Sequence, residues 1–234
     1  MTETGHRSLD PQVEARILNG RTDLVIGWVD AGNDATATVG DGRRLVEVCA
    51  YFGDVTAISF LLGRGEKLDS LGSDLGLNGA ASHGHWRLTE FLLARGADAN
   101  VRDRATGETP LHSVFGAGNR AEHDLVLEVL LTSGAKPNVT TKPGVPTGAF
   151  MRDVRTRAET PLHRAAAFGS ERAITRLLAA GADLSARDMN GDSPLTWASW
   201  HRRDVMVLKF LAPTDGSLYP GKPTMADNLR GRPR

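Results

Sequence analysis

The hydrophobic and polar positions of this chain recur with a period of about 33 residues. The unit that starts at Thr160 shows the order most clearly: small and apolar residues up to Phe168, a glycine, the apolar pair Leu177-Leu178 and a stop at Gly181. The same order starts at positions 11, 44, 75, 109 and 193, and the successive steps are 33, 31, 34, 51 and 33 residues. Five of the six units keep the glycine nine residues after their start, so the pattern predicts a repeated pair of helices.

The residues at each boundary explain why one unit should form two helices. Thr109 and Thr160 are suited to cap a helix, and the proline after each of them fits the first helical position. Gly169 is expected to end the first helix in a left-handed conformation. Small pairs such as Ala165-Ala166 let the second helix approach closely. Since two helices cannot bury their apolar faces alone, neighbouring units are expected to stack.

Four phrases carry a resemblance to a known family: "GETPLH", "AETPLHRAAAFG", "LLAAGADLSARDMNGDSPL" and "FLLARGADANVRDRATGETPL". They resemble ankyrin repeats, and the resemblance covers residues 9–211. It implies an all-α fold, an ankyrin repeat solenoid of about six helix–turn–helix units connected by β-hairpin fingers. It also assigns His112 and His163 to hydrogen bonds between neighbouring repeats. The chain departs from the family pattern at Leu75–Asn78, which reads "LGLN", and in the first two units, which lack the motif.

Two short segments lie outside the predicted array. Residues 1–8 form a polar N-terminal tail, and residues 212–234 form a C-terminal tail or cap that is rich in proline and glycine. Two interpretations of the second segment stay open. It is either a disordered end or a cap in which Leu218 and Tyr219 pack on the last helices.

Composition narrows the possible partners and compartments. The 28 Lys and Arg residues balance 28 Asp and Glu residues, which argues against a dedicated binder of nucleic acid or of an acidic membrane surface. Cys49 is the single cysteine, so no internal disulfide or cysteine metal cluster can form. The N-terminus lacks an apolar run of signal-peptide length, and no stretch reaches the roughly 20 apolar residues of a membrane span. The sequence therefore predicts a protein of the cytoplasm, with no metal and no cofactor.

The resemblance implies two contact surfaces, the fingers and the concave ends of the first helices. These helix ends fall seven and eight residues after each unit start, at Leu18-Asn19, Tyr51-Phe52, Ser82-His83, Gly116-Ala117, Ala167-Phe168 and Trp200-His201. We call these positions the groove positions. Gly116, Ala117 and Ala167 leave space in the middle of the series, whereas Tyr51, Phe52, His83, Phe168, Trp200 and His201 are candidate binding residues on either side of it.

The step of 51 residues marks an insert of about 14 residues, placed at 142–157, in the finger beside that space. The insert has four basic residues against one acid and contains Phe150, which is expected to pack over the groove. Arginine binds carboxylate and phosphate well, so Arg152, Arg155 and Arg157 together with the groove aromatics predict a recess for a flat or acidic group. The alternative is that Asp153 pairs with one arginine and the others are solvated.

No catalytic motif can be defended from the sequence. Ser199 and His201 lie two residues apart on a helix and face different directions, so they do not form a dyad. His201 and Asp153 are the weak candidates for a proton-transfer role. His83 and His85 lack a third metal ligand nearby. Trp197 and Trp28 are expected in the core.

Two functions follow. The first is a module that binds a protein or peptide segment through its fingers and groove, an expectation that rests on the family resemblance. The alternative is a binding protein or small enzyme for an anionic small molecule, held between the insert arginines and the groove aromatics.

Overall fold

A computed structural model describes residues 9–116, 121–145, 147 and 158–212. The predicted N-terminal tail (1–8), most of the insert and residues 213–234 lie outside the described residues. The helices formed by the described part of the chain are α1 Pro11–Leu18, α2 Asp23–Asp30, α3 Leu45–Tyr51, α4 Val55–Gly63, α5 Leu77–His83, α6 Trp86–Leu93, α7 Pro110–Ser113, α8 Ala121–Thr132, α9 Pro161–Phe168, α10 Glu171–Ala179, α11 Pro194–Trp200 and α12 Val205–Leu211. A short 3₁₀ helix, Leu68–Leu71, precedes α5.

The helices follow one another in pairs, and the first member of each pair begins close to a predicted unit start. The offsets between predicted and observed starts range from zero at Pro11 to two residues at Leu77. The all-α class is confirmed for the described residues, which form no β-strand. One isolated antiparallel bridge joins Thr38 to Arg44, so the β-hairpin geometry of the fingers is not confirmed.

The chain divides into two compact units. The first comprises Met1–Asp103 and Arg120–Ala135, and it buries leucines such as Leu45, Leu61 and Leu92 completely. The second comprises Arg104–Asn119 and Lys136–Arg234. Its fully buried side chains include those of Leu162, Ile174 and Trp197. Each fully buried side chain of this size contributes about 1.5–3 kcal/mol, so each unit has a core of its own.

The Thr-Pro-Leu-His phrase starts α7 and α9 in the same way. At the start of α7, the backbone N–H and the hydroxyl of Thr109 both donate to Nδ1 of His112, at 3.1 and 2.9 Å. Nε2 of His112 then donates to the carbonyl of Glu159, 47 residues away. His163 repeats this arrangement, with Thr160 on one ring nitrogen and the carbonyl of Asp192 on the other. The predicted role of both histidines in linking neighbouring repeats is confirmed.

The glycine that follows the first helix is left-handed at some turns, but not at Gly169, where this conformation was predicted. Gly53 and Gly84 follow their first helices with φ of 73° and 79°, a left-handed conformation that favours glycine. The prediction for Gly169 is wrong, because this residue has φ −75° and ψ 166°. A side chain there would instead collide with the backbone of Ala165, 2.8 Å from the nearest atom. Gly169 is thus required by close packing, not by its φ angle.

The tryptophans differ in burial. Trp197 is fully buried, as predicted, and its indole N–H donates to the carboxylate of Asp188 at 3.0 Å. Trp28, also predicted in the core, is half-buried. It lies on α2, which packs mainly on α1 and α4 among the described helices.

Candidate functional site

The candidate binding residues at the groove positions occupy the C-terminal ends of the first helices. Tyr51 is the last residue of α3 and Phe52 its C-cap, and His83 ends α5. In the second compact unit, Phe168 ends α9 and Trp200 ends α11. A helix end places its last side chains beside the following turn, where they are less covered than those in the helix centre. This position explains why large aromatic groups here reach the surface.

The first compact unit holds a cluster of aromatic rings, which we call the Tyr51 cluster. The rings of Tyr51 and Phe52 meet edge to face with centroids 5.0 Å apart, and the ring of Tyr51 makes a similar contact with His83 at 4.9 Å. The ring of His85 stacks near that of His83 at 5.7 Å. Tyr51 is nevertheless 53% exposed, and Phe52 is also exposed. The cluster therefore presents aromatic surface whose geometry is fixed before any partner arrives.

Glycines of the preceding turns hold two of these rings in place. A Cβ atom on Gly20 would lie 3.3 Å from the ring of Phe52, so this ring packs directly on the glycine. The ring of His85 packs on Gly53 in the same way, and its Nε2 bonds to the carbonyl of Tyr51 at 2.9 Å. His85 was not among the predicted binding residues. Its position one residue after the turn glycine Gly84 was the available sequence signal.

The second compact unit has a separate aromatic group. The rings of Phe168 and His201 meet at 4.8 Å, and Phe168 is half-buried. Trp200 is 54% exposed and lines an opening of about 330 Å³ with Thr196, Ser199 and Arg202. Arg202 adopts φ 53° at the turn position where the other units have glycine. This opening places a cationic and an aromatic side chain beside two hydroxyl groups.

The remaining predicted site residues lie outside the described residues. These are Phe150, Arg152, Asp153, Arg155 and Arg157, all within the insert. The predicted recess between the insert arginines and the groove aromatics therefore stays a prediction. The structure describes the start of the insert and the residues that follow its end, and these meet at a buried acid.

Glu159, two residues after the insert, binds residues at its start. The hydroxyls of Thr141 and Thr147 donate to its two carboxylate oxygens, at 2.7 and 3.0 Å. The backbone N–H of Thr141 donates to its carbonyl at 3.0 Å. Glu159 itself is fully buried. These contacts fix the point where the long finger leaves the repeat and the point where it returns.

Arg164 neutralises this buried acid. Its guanidinium donates to Oε1 of Glu159 through Nε and through Nη2, at 3.0 and 2.7 Å, and it pairs with Glu108. Nη1 donates to the carbonyl of His112 at 3.2 Å. Only 1% of the arginine side chain is exposed. These residues were not among the predicted site residues. The available sequence signal was Glu159 directly before Thr160 and Arg164 four residues after Thr160.

The charges of this cluster set its protonation state. Burial alone would raise the pKa of Glu159, but the positive charge of Arg164 and the hydrogen bonds from Thr141 and Arg164 outweigh it and lower that pKa to about 2. Burial lowers the pKa of the neighbouring His163. At neutral pH the cluster thus holds an ionised acid paired to an arginine, with its hydrogen-bonding capacity used internally. We assign it a structural role at the base of the insert.

Comparison with known families accounts for the repeated helix pairs. A family model of ankyrin repeats in three copies matches residues 77–186, and a model of ankyrin repeats in many copies matches residues 162–212. The matched residues start with α5 and run to the end of α12, and they include both Thr-Pro-Leu-His phrases.

The chain belongs to the ankyrin repeat family. Ankyrin repeats generally mediate interactions between proteins. The first two helix pairs precede the matched residues, in agreement with their lack of the motif in the sequence.

Several curated proteins are similar to parts of this ankyrin repeat chain. An ankyrin repeat-containing protein of Treponema pallidum is 28% identical over 148 residues, which are 62% of this chain and 48% of that protein. The palmitoyltransferase ZDHHC13 of Homo sapiens is 26% identical over 199 residues, 76% of this chain and 32% of that protein. The ankyrin repeat and KH domain-containing protein mask-1 of Caenorhabditis elegans is 30% identical over 148 residues, 61% of this chain and 5% of that protein. The chain thus spans about half or less of the length of these relatives.

Two features are absent from the described residues. No helix among them is both long enough and apolar enough to cross a membrane. Among the same residues, no three His, Cys, Asp or Glu side chains are grouped as metal ligands. The predicted location in the cytoplasm stays a prediction.

Proposed function

We propose that this ankyrin repeat protein binds a protein or peptide segment through the aromatic groups at the C-terminal ends of its first helices. The observation that carries this proposal is the Tyr51 cluster, in which Tyr51 and Phe52 are exposed yet held in fixed mutual contact. Exposed aromatic side chains dominate the binding energy of many protein interfaces. Rings that are already ordered lose little conformational entropy when a partner binds.

The second compact unit supports the same function independently. Trp200 is exposed at the corresponding groove position, beside the hydroxyl groups of Thr196 and Ser199 and the cationic side chain of Arg202. This combination suits a partner segment with an aromatic or apolar side chain next to an acidic one. The insert residues Phe150, Arg152, Arg155 and Arg157 are proposed to add contacts from the long finger. The small-molecule alternative depends on those arginines, which lie outside the described residues, and it gains no support from the contacts described above.

The experiment is quantitative capture of partners from a lysate of the source cells, followed by affinity measurement with the captured protein. The test variant is the full chain with Tyr51→Ala and Phe52→Ala. The matched control is Phe60→Ala, which removes an aromatic ring from α4 in the same helix pair, where the ring is covered by Arg64 at 4.7 Å. A hot-spot loss of about 2 kcal/mol weakens binding about 30-fold. The proposal fails if every partner binds the double variant as tightly as it binds the control, with both variants folded by circular dichroism.

A further inference from the structure

The outward face of the last helix pair, α11 and α12, is an apolar surface. Val205 is 62% exposed, and Met206 and Phe210 are exposed beside it. Between the two helices runs a groove of about 420 Å³, which we call the end groove, lined by residues that include Leu195, Thr196, Ser199, Val205, Leu208 and Ala212. Contiguous apolar surfaces of this kind on soluble proteins usually mark a contact site.

The repeat explains why this groove is open. Leu195 stands two residues after its unit start, as Leu162 does in the preceding unit, but Leu162 is fully buried and Leu195 only half-buried. Ser199 corresponds in the same way to Ala166 and is exposed, whereas Ala166 is fully buried. The positions that a following helix pair would cover therefore reach the surface in the last pair. Terminal repeats need a cover or a polar outer face.

The chain itself continues from the edge of this groove. Ala212 lines the groove, and residues 213–234 follow it directly in the sequence. The first large apolar residues in that segment are Leu218 and Tyr219, six and seven residues after Ala212. Six extended residues span at most about 20–22 Å, so both side chains can reach any part of the groove. Asp215 precedes them, and the exposed Lys209 lies on the groove wall with the opposite charge.

We propose that the end groove binds the chain's own C-terminal segment, with Leu218 and Tyr219 as the apolar anchors. A short tether makes this contact intramolecular, with an effective concentration on the order of millimolar, which a second copy of the chain reaches only in concentrated solution. The cost of closing so short a loop is small compared with the burial of two large side chains. The segment thus covers the last repeat in place of a further helix pair.

The test uses the full chain with Ser217→Cys, to which a nitroxide spin label is attached beside the two anchors. Cys49 is fully buried, and burial raises the pKa of its thiol to about 12, so the label enters at residue 217. The readout is the loss of amide NMR signal intensity that the label causes in ¹⁵N-labelled protein. Signals of Leu195, Thr196 and Ser199 on α11 are expected to lose intensity, and the same sample with the nitroxide chemically reduced serves as the reference.

Two pairs of matched variants decide the outcome. Val205→Asp places a charge in the groove, whereas Met206→Asp places the same charge on the adjacent exposed residue, which does not line the groove. On the segment itself, Leu218→Ser with Tyr219→Ser removes the anchors, whereas Met225→Ser leaves them. We expect the α11 signals to recover fully with Val205→Asp and with the double serine variant, and to stay weakened with both controls.

Three results would overturn the proposal. The first is full intensity on α11 in the labelled chain without further substitution. The second is an intensity loss that persists in the Val205→Asp variant. The third is an equal loss when ¹⁵N-labelled chains without the nitroxide are mixed with nitroxide-bearing chains without ¹⁵N, since that result assigns the groove to a second copy.

Discussion

Replacing Arg164 with methionine tests whether the buried pair at the base of the insert holds the second compact unit together. Methionine fills much of the same volume and removes only the guanidinium. The substitution leaves Glu159 fully buried, with hydroxyl donors from Thr141 and Thr147 but without a positive charge in contact. We therefore expect the Arg164→Met variant to be strongly destabilised.

Two quantities set the scale of this experiment: the loss on removing Arg164 and the pH-dependent contribution of Glu159. Removing one partner of a buried ion pair costs about 3–5 kcal/mol, because the other charge stays buried without compensation. The pKa of Glu159 falls from an ordinary value of 4.5 to about 2 in the folded protein. Since one pKa unit corresponds to about 1.4 kcal/mol, this difference is worth about 3 kcal/mol. The first figure is the expected loss in the Arg164→Met variant, and the second is the stability that the ionised Glu159 contributes at neutral pH.

The assay is urea unfolding followed by circular dichroism, repeated at several pH values. The folded-state pKa of Glu159 lies below its unfolded value, so its contribution is complete above about pH 4.5 and is lost as the pH falls towards about 2. The native chain should lose about 3 kcal/mol across this window more than a Glu159→Gln variant does. The difference between the two chains removes the contribution of the other carboxylates.

A double variant and a surface pair provide the controls. Glu159→Gln combined with Arg164→Met removes both charges, so it should be more stable than Arg164→Met alone by about 1–3 kcal/mol. Arg21→Met breaks an ion pair with Asp23 in which both side chains are more than half exposed, and it should leave the stability nearly unchanged. An Arg164→Met variant as stable as Arg21→Met would refute the reasoning, as would a double variant no more stable than Arg164→Met.

Two smaller predictions concern the first compact unit. Gly53→Ala should lower the free energy of unfolding in urea by at least about 1 kcal/mol, because the residue has φ 73° and its new Cβ would lie 2.6 Å from the ring of His85. The control Gly63→Ala, whose new Cβ would meet no neighbouring atom within 4 Å, should be neutral or stabilising. Equal stability of the two variants would contradict the close packing at Gly53. Burial raises the pKa of Cys49 to about 12, so about one thiol in ten thousand is ionised at pH 8. The thiol should therefore react with a thiol reagent only after urea is added. Rapid labelling of the native chain would show that Cys49 is accessible to solvent.

The helix pairs could be predicted from sequence because their signals are local. A cap residue, a proline and an apolar pair each act within one or two turns of a helix, so the start of α9 follows from the phrase that contains Thr160. Gly169 shows the limit of this approach. A glycine in a sequence signals either a left-handed φ or a close approach, and only the position of Ala165 shows that the second reason applies.

The cluster around Arg164 could not be predicted because its members come from distant parts of the sequence. Glu108 and Glu159 are separated by the 51-residue step, and the insert lies between them. A charged residue next to a repeat motif is normally read as solvated, since buried charges are rare unless they are paired. The pairing with Glu108 exists only after α7 and α9 have packed, so the sequence offers only the local hint of Glu159 and Arg164 on either side of Thr160.

The sequence repeat predicts the helix pairs, but it does not predict the hydrogen bonds that connect one pair to the next. One position, directly after the first turn, connects a pair to its predecessor, and its chemistry changes along the chain. Asp54 accepts a hydrogen bond from Thr22 at 2.6 Å, and the ring of His85 bonds to the carbonyl of Tyr51. In the second compact unit, Arg203 donates to the carbonyls of Ala166 and Gly169 at 3.1 and 2.7 Å. Two of these links use carbonyls near a helix end, which accept from any donor of the right length, and the third uses a carboxylate as the acceptor, so the link does not require one residue type. The position of the link therefore recurs from one helix pair to another, whereas its residue type varies. A comparison of the unit sequences does not reveal the link for this reason.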